Sequence, residues 1–428
     1  MRKKILIYGM GLTGIELVRF CKKNKIPCVP FDDTKKLINK SEKVFGPKDN
    51  FKNLLKYCNE IVVSPGVGLR NKNIQLAVKS RKKIISEIEF ASRYITKPIV
   101  AITGTNGKTT TTLLTSQLLK SGGYKVFLGG NIGRPLISSV ALQNQYDLIL
   151  VEVSSFQLQF IQSSFKPFVS AFLNISENHL DHHWDMDEYA KSKMNIFKNQ
   201  DKNCFALCSR NVYRRIFNKN KASFLDPFGN SSLSVSRNKI TINNKDDIHI
   251  DDTKLLGLHN LNNISFALSI FSIFKNISSD QLKVVENFSS PSHRLEIIKK
   301  YRERTIVNDS KSTSPQATEV ALRSLKKNIV LIMGGKNKGL DYSLLKRQVD
   351  KKVIKLILFG ENKFELAKFF NKSKKIIAVD LRDAVEEGLK KFYKGHTLLL
   401  SPGTSSFDQF DSYSDRGDKF KEYVKKLS

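Results

Sequence analysis

A glycine-rich turn between a strand-like run and a helix-like run is the strongest constraint that this sequence places on its fold. The apolar run 99–103 leads into Gly-Thr-Asn-Gly-Lys-Thr-Thr at 104–110, and leucines then recur with helical spacing as far as Leu119. Such a turn cradles phosphate, because glycines let the backbone approach an anion and the helix N-terminus offers unpaired N–H groups. Lys108 adds a positive charge, and the Thr109 hydroxyl can ligate Mg2+.

The spacing of this turn departs from the general nucleotide-hydrolase pattern. That pattern has a glycine five residues before the second glycine of the turn, where this chain has Ile102. A generic hydrolase assignment therefore fits poorly. A polar turn that only caps a helix is the alternative, but the strand and helix patterns on either side favour a phosphate site.

The length and composition indicate a multidomain globular protein. A chain of 428 residues exceeds one ordinary core and predicts two to four domains. No apolar run approaches the roughly 20 residues that span a bilayer, and the first apolar stretch ends at Tyr8 in a glycine-rich turn. Five cysteines without Cys-x-x-Cys spacing indicate neither a disulfide framework nor a zinc site. We expect a cytoplasmic protein that has no membrane partner.

The net charge of +32, from 72 Lys+Arg against 40 Asp+Glu, raises the question of nucleic-acid or membrane binding. The lysines are scattered, however, and the densest runs, such as 22–23 and 81–83, lie on predicted helix faces or strand entrances without an aromatic-basic ladder. We therefore expect a solvated basic surface that favours polyanionic small substrates, and no nucleic-acid partner. A nucleic-acid-dependent ATPase is the alternative from another class.

Apolar, β-branched runs alternate with amphipathic helix-like stretches along the whole chain, which predicts an α/β fold with parallel sheets and ligands at the strand carboxyl ends. Boundaries at 96–98 and 289–292 divide the chain into three segments of domain size. Alternation around a turn over 239–250 predicts a β hairpin in the middle segment. The predicted strands are 5–8, 61–64, 99–103, 148–153, 169–174, 329–333, 356–359, 376–379 and 397–400.

The first segment opens with a second glycine-rich turn. Gly9-Met-Gly-Leu-Thr-Gly14 follows a strand-like run, and Asp32 and Asp33 lie about 20 residues on, as a dinucleotide fingerprint requires. Taken alone, this pattern would predict a dehydrogenase. It reports only a turn adapted to a diphosphate, however, and a nucleotide sugar presents the same group. A purely structural turn is a further alternative. The next strand ends in a turn at 64–67, at the same predicted ligand edge.

A carboxylate, a histidine and a lysine follow the phosphate loop. Glu152 is an acid within an apolar strand, where burial is costly unless it ligates a cation or is paired. His179 follows another predicted strand, where it could converge with Glu152 and Thr109 on a metal. A solvated polar loop is an equally good interpretation of that segment. Lys193 lies in a helical pattern whose ordinary interpretation is a lysine that faces solvent.

Eight motifs, taken in order, resemble those of the Mur ligases of peptidoglycan synthesis over essentially the whole chain. Among members of this family, the residues at 154–158, 308–313 and 405–410 are most similar to those that add D-glutamate. The eight motifs are 9–14, 103–109, Gly-Gly-Asn-Ile-Gly at 129–133, Glu-Val-Ser-Ser-Phe-Gln-Leu at 152–158, His-Asn at 259–260, His-Arg-Leu-Glu at 293–296, Asn-Asp-Ser-Lys-Ser-Thr at 308–313 and Ser-Pro-Gly at 401–403.

The resemblance implies a fold of three α/β domains. A Rossmann-like N-terminal domain (1–96) would bind the UDP substrate. A central P-loop ATPase-type α/β domain (97–290), with a small added β hairpin region, would bind ATP. A Rossmann-like C-terminal domain (291–428) would bind D-glutamate. These roles replace the dehydrogenase interpretation of the first glycines.

The resemblance also implies a reaction. The chain would be an ATP-dependent ligase that joins D-glutamate to UDP-N-acetylmuramoyl-L-alanine through an acyl phosphate, giving ADP and phosphate. It would act as a cytoplasmic monomer in peptidoglycan precursor synthesis, with ATP and two Mg2+ ions. Another Mur-type or a folylpolyglutamate-type amino-acid ligase is the alternative within the superfamily.

Matching positions in the family motifs assign the site residues. The resemblance implies that Lys108, His179 and Lys193 are catalytic, with Lys193 carbamylated. The metal ligands implied are Thr109, Glu152, His179 and carbamylated Lys193. The implied ATP contacts are Gly104, Thr105, Asn106, Gly107, Lys108, Thr109, Thr110, Asn260, Asn263, Arg294, Asp309 and Lys311. The UDP substrate would contact Leu12, Thr13, Asp32, Asp33, Ser64, Gly66 and Asn131. D-Glutamate would contact Thr313, Lys338, Ser406 and Tyr413.

Three residues depart from the family pattern. Asn178 precedes His179 where many relatives have an acid, Lys336-Asn337 precede Lys338 in a turn usually written with Asp-Gly, and Tyr413 replaces an expected Phe. The last two departures lie in the implied amino-acid pocket. The sequence therefore constrains the type of reaction more tightly than it constrains the amino acid.

Overall fold

The chain forms two compact units. The computed structural model describes residues 4–34, 44–46, 49–176, 183–209, 212–213, 222–229, 233–243, 246–301, 303–370 and 375–427. The first unit comprises Met1–Asp247 and Leu261–Val285, and the second comprises Ile248–Asn260 and Glu286–Ser428.

Strands and helices alternate along both units. The strands are β1 (Lys4–Tyr8), β2 (Cys28–Phe31), β3 (Cys58–Val63), β4 (Lys83–Ser86), β5 (Ile99–Thr103), β6 (Val126–Gly130), β7 (Leu148–Glu152), β8 (Val169–Phe172), β9 (Phe205–Cys208), β10 (Ser223–Leu225), β11 (Leu233–Val235), β12 (Lys239–Ile242), β13 (Asp246–His249), β14 (Glu296–Tyr301), β15 (Arg304–Asn308), β16 (Ile329–Gly334), β17 (Val353–Phe359), β18 (Lys375–Ile377) and β19 (Thr397–Leu400). The helices are α1 (Leu12–Lys23), α2 (Phe51–Tyr57), α3 (Lys72–Lys79), α4 (Glu87–Ser92), α5 (Lys108–Ser121), α6 (Ile137–Val140), α7 (Ser155–Leu158), α8 (Met186–Met194), α9 (His259–Ser272), α10 (Ser279–Asn287), α11 (Pro315–Ser324), α12 (Lys346–Lys352), α13 (Lys363–Phe369), α14 (Leu381–Leu389) and α15 (Tyr413–Leu427).

Two parallel sheets form the body of the first unit. The first has the strand order β2-β1-β3-β4, and the second has the order β10-β9-β8-β5-β7-β6. Ile7 and Val62 of the first sheet share a hydrophobic cluster with Ala101 and Val151 of the second. In the first sheet the order reverses beside β1, and such a switch point is where ligands bind in open α/β sheets. The turn at 9–14 follows this strand.

The phosphate loop follows a central strand of the second sheet. β5 lies between β7 and β8 and pairs in parallel with both. The carboxyl ends of β5 and β7 therefore meet at one edge of the sheet, which brings the turn at 104–110 beside Glu152, the last residue of β7. The predicted helix after the loop is confirmed as α5.

The second unit is built on a sheet with the order β14-β15-β19-β16-β17-β18, in which β14 and β15 are antiparallel and the remaining neighbours are parallel. Side chains of its inner strands alternate between two hydrophobic clusters. Leu331 and Met333 of β16 belong to one cluster, whereas Val330 and Ile332 belong to the other. Because consecutive residues of β16 belong alternately to the two clusters, apolar side chains cover both faces of this sheet.

The predicted α/β class is confirmed, and all nine predicted strands are present, with ends that differ by a few residues. The predicted hairpin is present as β12 and β13, which are neighbours in a small sheet with β11. None of the helices in the described ranges combines the length and the apolar character needed to cross a membrane.

Glu87 is a fully buried carboxyl at the start of α4. Its Oε1 accepts a hydrogen bond from the backbone N–H of Ile137 at 2.6 Å, and within the described part of the chain its Oε2 has no hydrogen-bond partner. Burial raises the pKa of Glu87 from 4.5 to about 7, although the bond from Ile137 lowers it. The group thus anchors the first residue of α6 at the cost of burying a titratable acid.

Glu87→Gln should change how stability depends on pH. In the unfolded chain Glu87 loses its proton near its ordinary pKa of 4.5, and in the folded chain only near pH 7. The folded state therefore holds more protons between these values, so this group lowers stability as the pH rises through them. We expect the free energy of unfolding of the variant, relative to wild type, to increase over this interval by at most about 3 kcal/mol.

Urea denaturation at about pH 4.5 and about pH 7.5 measures this change. Glu89→Gln is the matched control, because Glu89 is equally buried but accepts backbone hydrogen bonds from 163–165, which lower its pKa against the effect of burial. Because a lowered pKa changes stability mainly below pH 4.5, the free energy of unfolding of Glu89→Gln, relative to wild type, should not rise between these two pH values. If the free energies of unfolding of wild type and Glu87→Gln differed by the same amount at both pH values, the role given to Glu87 would be contradicted.

Candidate active site

The phosphate loop has the backbone that its glycines predict. Gly107 caps α5 with φ of 82°, a left-handed conformation that favours glycine. A Cβ at this position would collide with the side chain of Asn263, which also accepts a hydrogen bond from the Thr111 hydroxyl at 3.3 Å. The Lys108 ammonium donates to the carbonyls of Gly104 and Thr105 at 2.8 and 3.0 Å. The lysine is therefore folded over its own loop.

Asn174 fixes the other side of the loop. Its carbonyl accepts from the backbone N–H of Thr105, and its side-chain Oδ1 accepts from the backbone N–H of Asn106, both at 2.9 Å. Since Asn174 lies just beyond β8, the loop is held between the ends of two neighbouring strands. Thr110, the last of the implied ATP contacts in the loop, lies in the first turn of α5.

A buried carboxylate lies beside the first turn of α5. Glu152 is 1% exposed. Its Oε2 accepts from the Thr109 hydroxyl at 2.7 Å, and its Oε1 accepts from the Asn131 amide at 2.8 Å. The structure thus brings together the two predicted metal ligands Thr109 and Glu152. It also places Asn131 in this cluster, whereas the resemblance implies a contact with the UDP substrate, and that contact stays a prediction.

Lys193 is buried against the same loop. It is 2% exposed, its Nζ donates to the Gly104 carbonyl at 2.9 Å and it lies 4.8 Å from the ring centroid of Tyr189. Burial, reinforced by the charge of Lys108, lowers the pKa of Lys193 well below its ordinary value, while Glu152 acts in the opposite direction. The interpretation of Lys193 as a solvent-facing lysine is therefore wrong, because the amine faces the phosphate loop.

The oxygen ligands present suit a hard cation. A hydroxyl and a carboxylate oxygen, 2.7 Å apart in Thr109 and Glu152, are the types of ligand that Mg2+ takes. His179 lies outside the described residues. Within the described ranges, no group of three or more His, Cys, Asp or Glu side chains is placed to hold a metal ion.

The turn after β1 is tightly built around two acids. A Cβ on Gly14 would collide with the Gly9 carbonyl, so the turn requires glycine there. Asp32 accepts from the backbone N–H of Met10 at 2.6 Å, and the Ser64 hydroxyl donates to the Gly9 carbonyl, also at 2.6 Å. The structure therefore gathers the predicted UDP-side acids and Ser64 at the switch point of the first sheet.

The other UDP-side residues lie close by in the chain. Asp33 accepts hydrogen bonds from the Tyr8 hydroxyl at 2.7 Å and from the Asn71 amide at 3.2 Å. Leu12 begins α1 and is 61% exposed, so this apolar side chain is open to a ligand. Thr13 follows it in α1, and Gly66 lies in the turn after β3.

Asp309 occupies a buried polar centre in the second unit. It follows β15 and accepts from the Leu295 backbone N–H at 3.1 Å, from the Ser401 hydroxyl at 2.8 Å and from the Ser312 hydroxyl. Burial raises its pKa to about 6, although these hydrogen bonds and Arg294 lower it. The acid thus joins the turns that follow β15 and β19.

Three neighbouring strands of the second unit end in the predicted amino-acid pocket. The turns at 309–313, 336–338 and 401–406 follow β15, β16 and β19, which are adjacent in the sheet. They carry Thr313, the exposed Lys338 and the buried Ser406. Tyr413 begins α15, and the Lys311 ammonium lies 3.5 Å from its ring centroid. Burial raises the pKa of Tyr413, but hydrogen bonds with Lys311 and Ser414 and the charges of Lys311 and Arg294 together bring the pKa below its ordinary value.

Arg416 connects two of the turns that carry the predicted pocket residues, although none of the sequence motifs includes it. The side chain is fully buried, and its guanidinium donates to the Ser310 hydroxyl and carbonyl at 3.0 and 2.9 Å and to the Thr404 carbonyl at 3.1 Å. One residue thereby joins the turns after β15 and β19. Helical spacing was the available signal, because Arg416 shares the buried face of α15 with Phe420 and Val424.

Asn260 and Asn263 lie about one helical turn apart in α9, and both are buried. Asn263 lies against Gly107 in the first unit, as described above. Asn260 belongs to the second unit, where its amide donates to the Leu256 carbonyl at 2.8 Å. Their contacts with ATP stay a prediction.

Comparison with known proteins gives consistent matches along the chain. Residues 3–86 match the Mur ligase MurD-like N-terminal domain, 102–271 match the Mur ligase middle domain and 293–403 match the Mur ligase glutamate ligase domain. The chain belongs to the Mur ligase family. It is 34% identical to the UDP-N-acetylmuramoylalanine--D-glutamate ligase of Caldicellulosiruptor saccharolyticus, with 99% of each chain covered. It is also 34% identical to the ligase of the same name from Buchnera aphidicola subsp. Acyrthosiphon pisum (strain Tuc7), covering 100% of this chain and 98% of that one.

Two solved structures share the fold at low sequence identity. A pseudomurein peptide ligase type C from Methanothermus fervidus superposes with a TM-score of 0.59 at 18% identity, with 100% of each chain covered. The MurF ligase of Thermotoga maritima in complex with ADP gives a TM-score of 0.60 at 15% identity, with 100% of this chain and 96% of that chain covered. The predicted family and its fold are confirmed.

Proposed function

We propose that this protein is the ATP-dependent ligase that joins D-glutamate to UDP-N-acetylmuramoyl-L-alanine in peptidoglycan precursor synthesis. The observation that carries the proposal is the convergence of Lys108, Glu152 and Lys193 on one phosphate loop, in a chain whose full-length relatives are named for this reaction. The basic surface suits three anionic substrates, and the finer assignments follow the family motifs.

The chemistry requires neutralisation of two anions. A carboxylate oxygen of the nucleotide sugar attacks the γ-phosphorus of ATP, which forms an acyl phosphate as the bond to ADP breaks. Lys108 and the N–H groups at the start of α5 face the negative charge that would otherwise keep the reactants apart. The amine of D-glutamate then attacks the acyl carbon, loses a proton and expels phosphate. Exclusion of water protects the acyl phosphate from hydrolysis.

Two Mg2+ ions are part of the proposal. Thr109 and Glu152 would hold one of them, and His179 with carbamylated Lys193 would hold the other. Bound Mg2+ neutralises phosphate charge and orients the oxygens. The burial of Lys193 suits the modification, because an amine with a lowered pKa is neutral more of the time and a carbamate replaces its cost of burial with a metal contact.

The remaining roles follow the domain boundaries. In this proposal 1–96 bind the UDP moiety, 97–290 bind ATP and 291–428 bind D-glutamate, in a monomer that acts on small molecules in the cytoplasm. Lys338 and the hydroxyls of Thr313, Ser406 and Tyr413 would face the two carboxylates of D-glutamate. Arg294, Asp309 and Lys311 would lie near the ATP phosphates and ribose.

An amino-acid panel tests the proposal. With ATP, Mg2+ and UDP-N-acetylmuramoyl-L-alanine present, we expect phosphate release with D-glutamate and little release with L-glutamate, L-lysine or diaminopimelate. Turnover with a different amino acid would show another Mur-type ligase. Turnover with a folate and L-glutamate would show a folylpolyglutamate-type ligase. Salt-sensitive ATP hydrolysis stimulated by DNA or RNA without the nucleotide sugar would show the nucleic-acid-dependent class.

Lys108→Ala should lower turnover by at least about 100-fold, because it removes a charge that faces the transferring phosphoryl group. Binding of the nucleotide sugar, measured by calorimetry, should stay within about twofold, since the Lys108 ammonium is directed at the phosphate loop. Lys120→Ala, an exposed position in the same helix, is the control and should retain turnover. Parallel loss of folding and sugar binding in Lys108→Ala would show that the lysine is structural.

Lys193→Ala should be inactive but rescued in part by a short-chain carboxylic acid, which can replace the carboxylate of a carbamate in the space left by the side chain. The measurement is phosphate release against acetate or propionate concentration. Lys191→Ala, at an exposed position of α8, should be active and indifferent to these acids. Normal activity of Lys193→Ala without any acid would refute the carbamate.

A further inference from the structure

The chain has a single tryptophan, and its exposed ring is held in place. Trp184 is 62% exposed. Its backbone N–H donates to Glu188 Oε2 at 2.6 Å. The guanidinium of Arg70 lies 4.6 Å from the centroid of its ring, and Arg70 Nη2 donates to the carbonyl of His183 at 2.6 Å. These contacts hold one side of the indole ring and leave its remaining surface accessible to a ligand.

The residue before Trp184 anchors it to the second sheet. His183 is fully buried, its Nε2 is 3.0 Å from the Ser155 hydroxyl and its ring stacks on Phe156 with centroids 5.7 Å apart. Ser155 begins α7, which follows β7 and Glu152. Glu188 is itself fixed by Gln159, whose amide donates to it at 2.6 Å. Trp184 is therefore linked through His183 and Glu188 to Ser155, Phe156 and Gln159 of the first unit.

Arg70 connects this anchor to the first sheet. It closes the turn that begins at Ser64 after β3, at the switch point that holds Asp32 and Asp33. The Arg70–Trp184 pair thus links the turn after β3 in the first sheet to the segment after β8, which contacts α7 through His183 and Ser155. In the proposed function the diphosphate of the nucleotide sugar lies at the turn 9–14 after β1, and its carboxylate reaches the phosphate loop after β5. These strands neighbour β3 and β7, whose following segments the Arg70–Trp184 pair links.

We infer that Trp184 contacts the sugar ring of UDP-N-acetylmuramoyl-L-alanine, and that Arg70 is a positioning residue that holds the indole. This inference rests on the proposed function, because it takes the nucleotide sugar as the substrate. The π face of an indole carries partial negative charge and suits the weakly positive C–H groups of a pyranose face. The guanidinium on the ring is held by the same quadrupole, which fixes the ring plane.

Tryptophan fluorescence tests the contact directly, because the emission comes from Trp184 alone. Titration of the wild-type protein with UDP-N-acetylmuramoyl-L-alanine should give a saturable change in emission. UDP alone and ADP should leave the emission unchanged at concentrations where calorimetry shows that they are bound, because neither carries the sugar. An unchanged emission with the nucleotide sugar bound would overturn the inference.

Steady-state kinetics provides the second measurement. Trp184→Ala should raise the KM for the nucleotide sugar by about threefold to tenfold, with the KM values for ATP and D-glutamate and the kcat within about twofold. Trp184→Phe, which keeps an aromatic face, should recover most of the loss, and Arg70→Ala should lie between them. Tyr57→Ala is the matched control, since Tyr57 is also 62% exposed and should leave all three KM values unchanged.

The outcomes separate this inference from the proposed function. Normal wild-type turnover with an unchanged KM in Trp184→Ala would refute the sugar contact and leave the ligase activity intact. Absence of wild-type turnover and of nucleotide-sugar binding would refute the proposed function itself. If Trp184→Ala did not fold, the emission of the wild-type protein would still decide the question.

Discussion

A carboxyl and an amine side chain that lie out of solvent against one glycine-rich turn are the constraint on which the central site depends. Burial of Glu152 and Lys193 costs free energy, which is offset by hydrogen bonds to neutral partners, the Thr109 hydroxyl, the Asn131 amide and the Gly104 carbonyl. A triphosphate with its cations supplies further charges. We interpret the arrangement as a ligand site in which the cost of burying these side chains lowers folding stability but places them in advance for the ligands.

The same structural device recurs in each parallel sheet. A turn follows the end of one strand, and residues at the end of a neighbouring strand form hydrogen bonds with that turn. In the first sheet Ser64 meets Gly9, in the second Glu152 meets Thr109, and in the second unit Ser401 after β19 meets Asp309 after β15. Parallel strands favour such contacts, because the carboxyl ends of adjacent strands lie at the same edge of the sheet.

Most of the strands that the sequence predicted are continuous apolar runs that lie buried in the sheets, since such a run is itself the signal. The sequence missed β14, an edge strand with exposed Lys299 and Lys300, and β6, which ends in two glycines, because there the pairing partner determines the strand. It also missed β2, β4, β9, β10, β11 and β15, which are each three to five residues long. The phosphate loop was evident from spacing alone. Arg416 and Trp184 were not, because their importance comes from contacts with residues more than 100 positions away. Lys193 was identified only through the family resemblance. The local sequence pattern predicted a solvent-facing lysine, whereas the side chain is buried.

The most direct test of this mechanism is a crystal structure of the protein with a non-hydrolysable ATP analogue, Mg2+ and UDP-N-acetylmuramoyl-L-alanine. The mechanism predicts the γ-phosphate on the loop 104–109, Thr109 turned from Glu152 to the cation, and the carboxylate of the nucleotide sugar facing the γ-phosphate. A triphosphate bound away from this loop, or a sugar carboxylate remote from it, would contradict the mechanism.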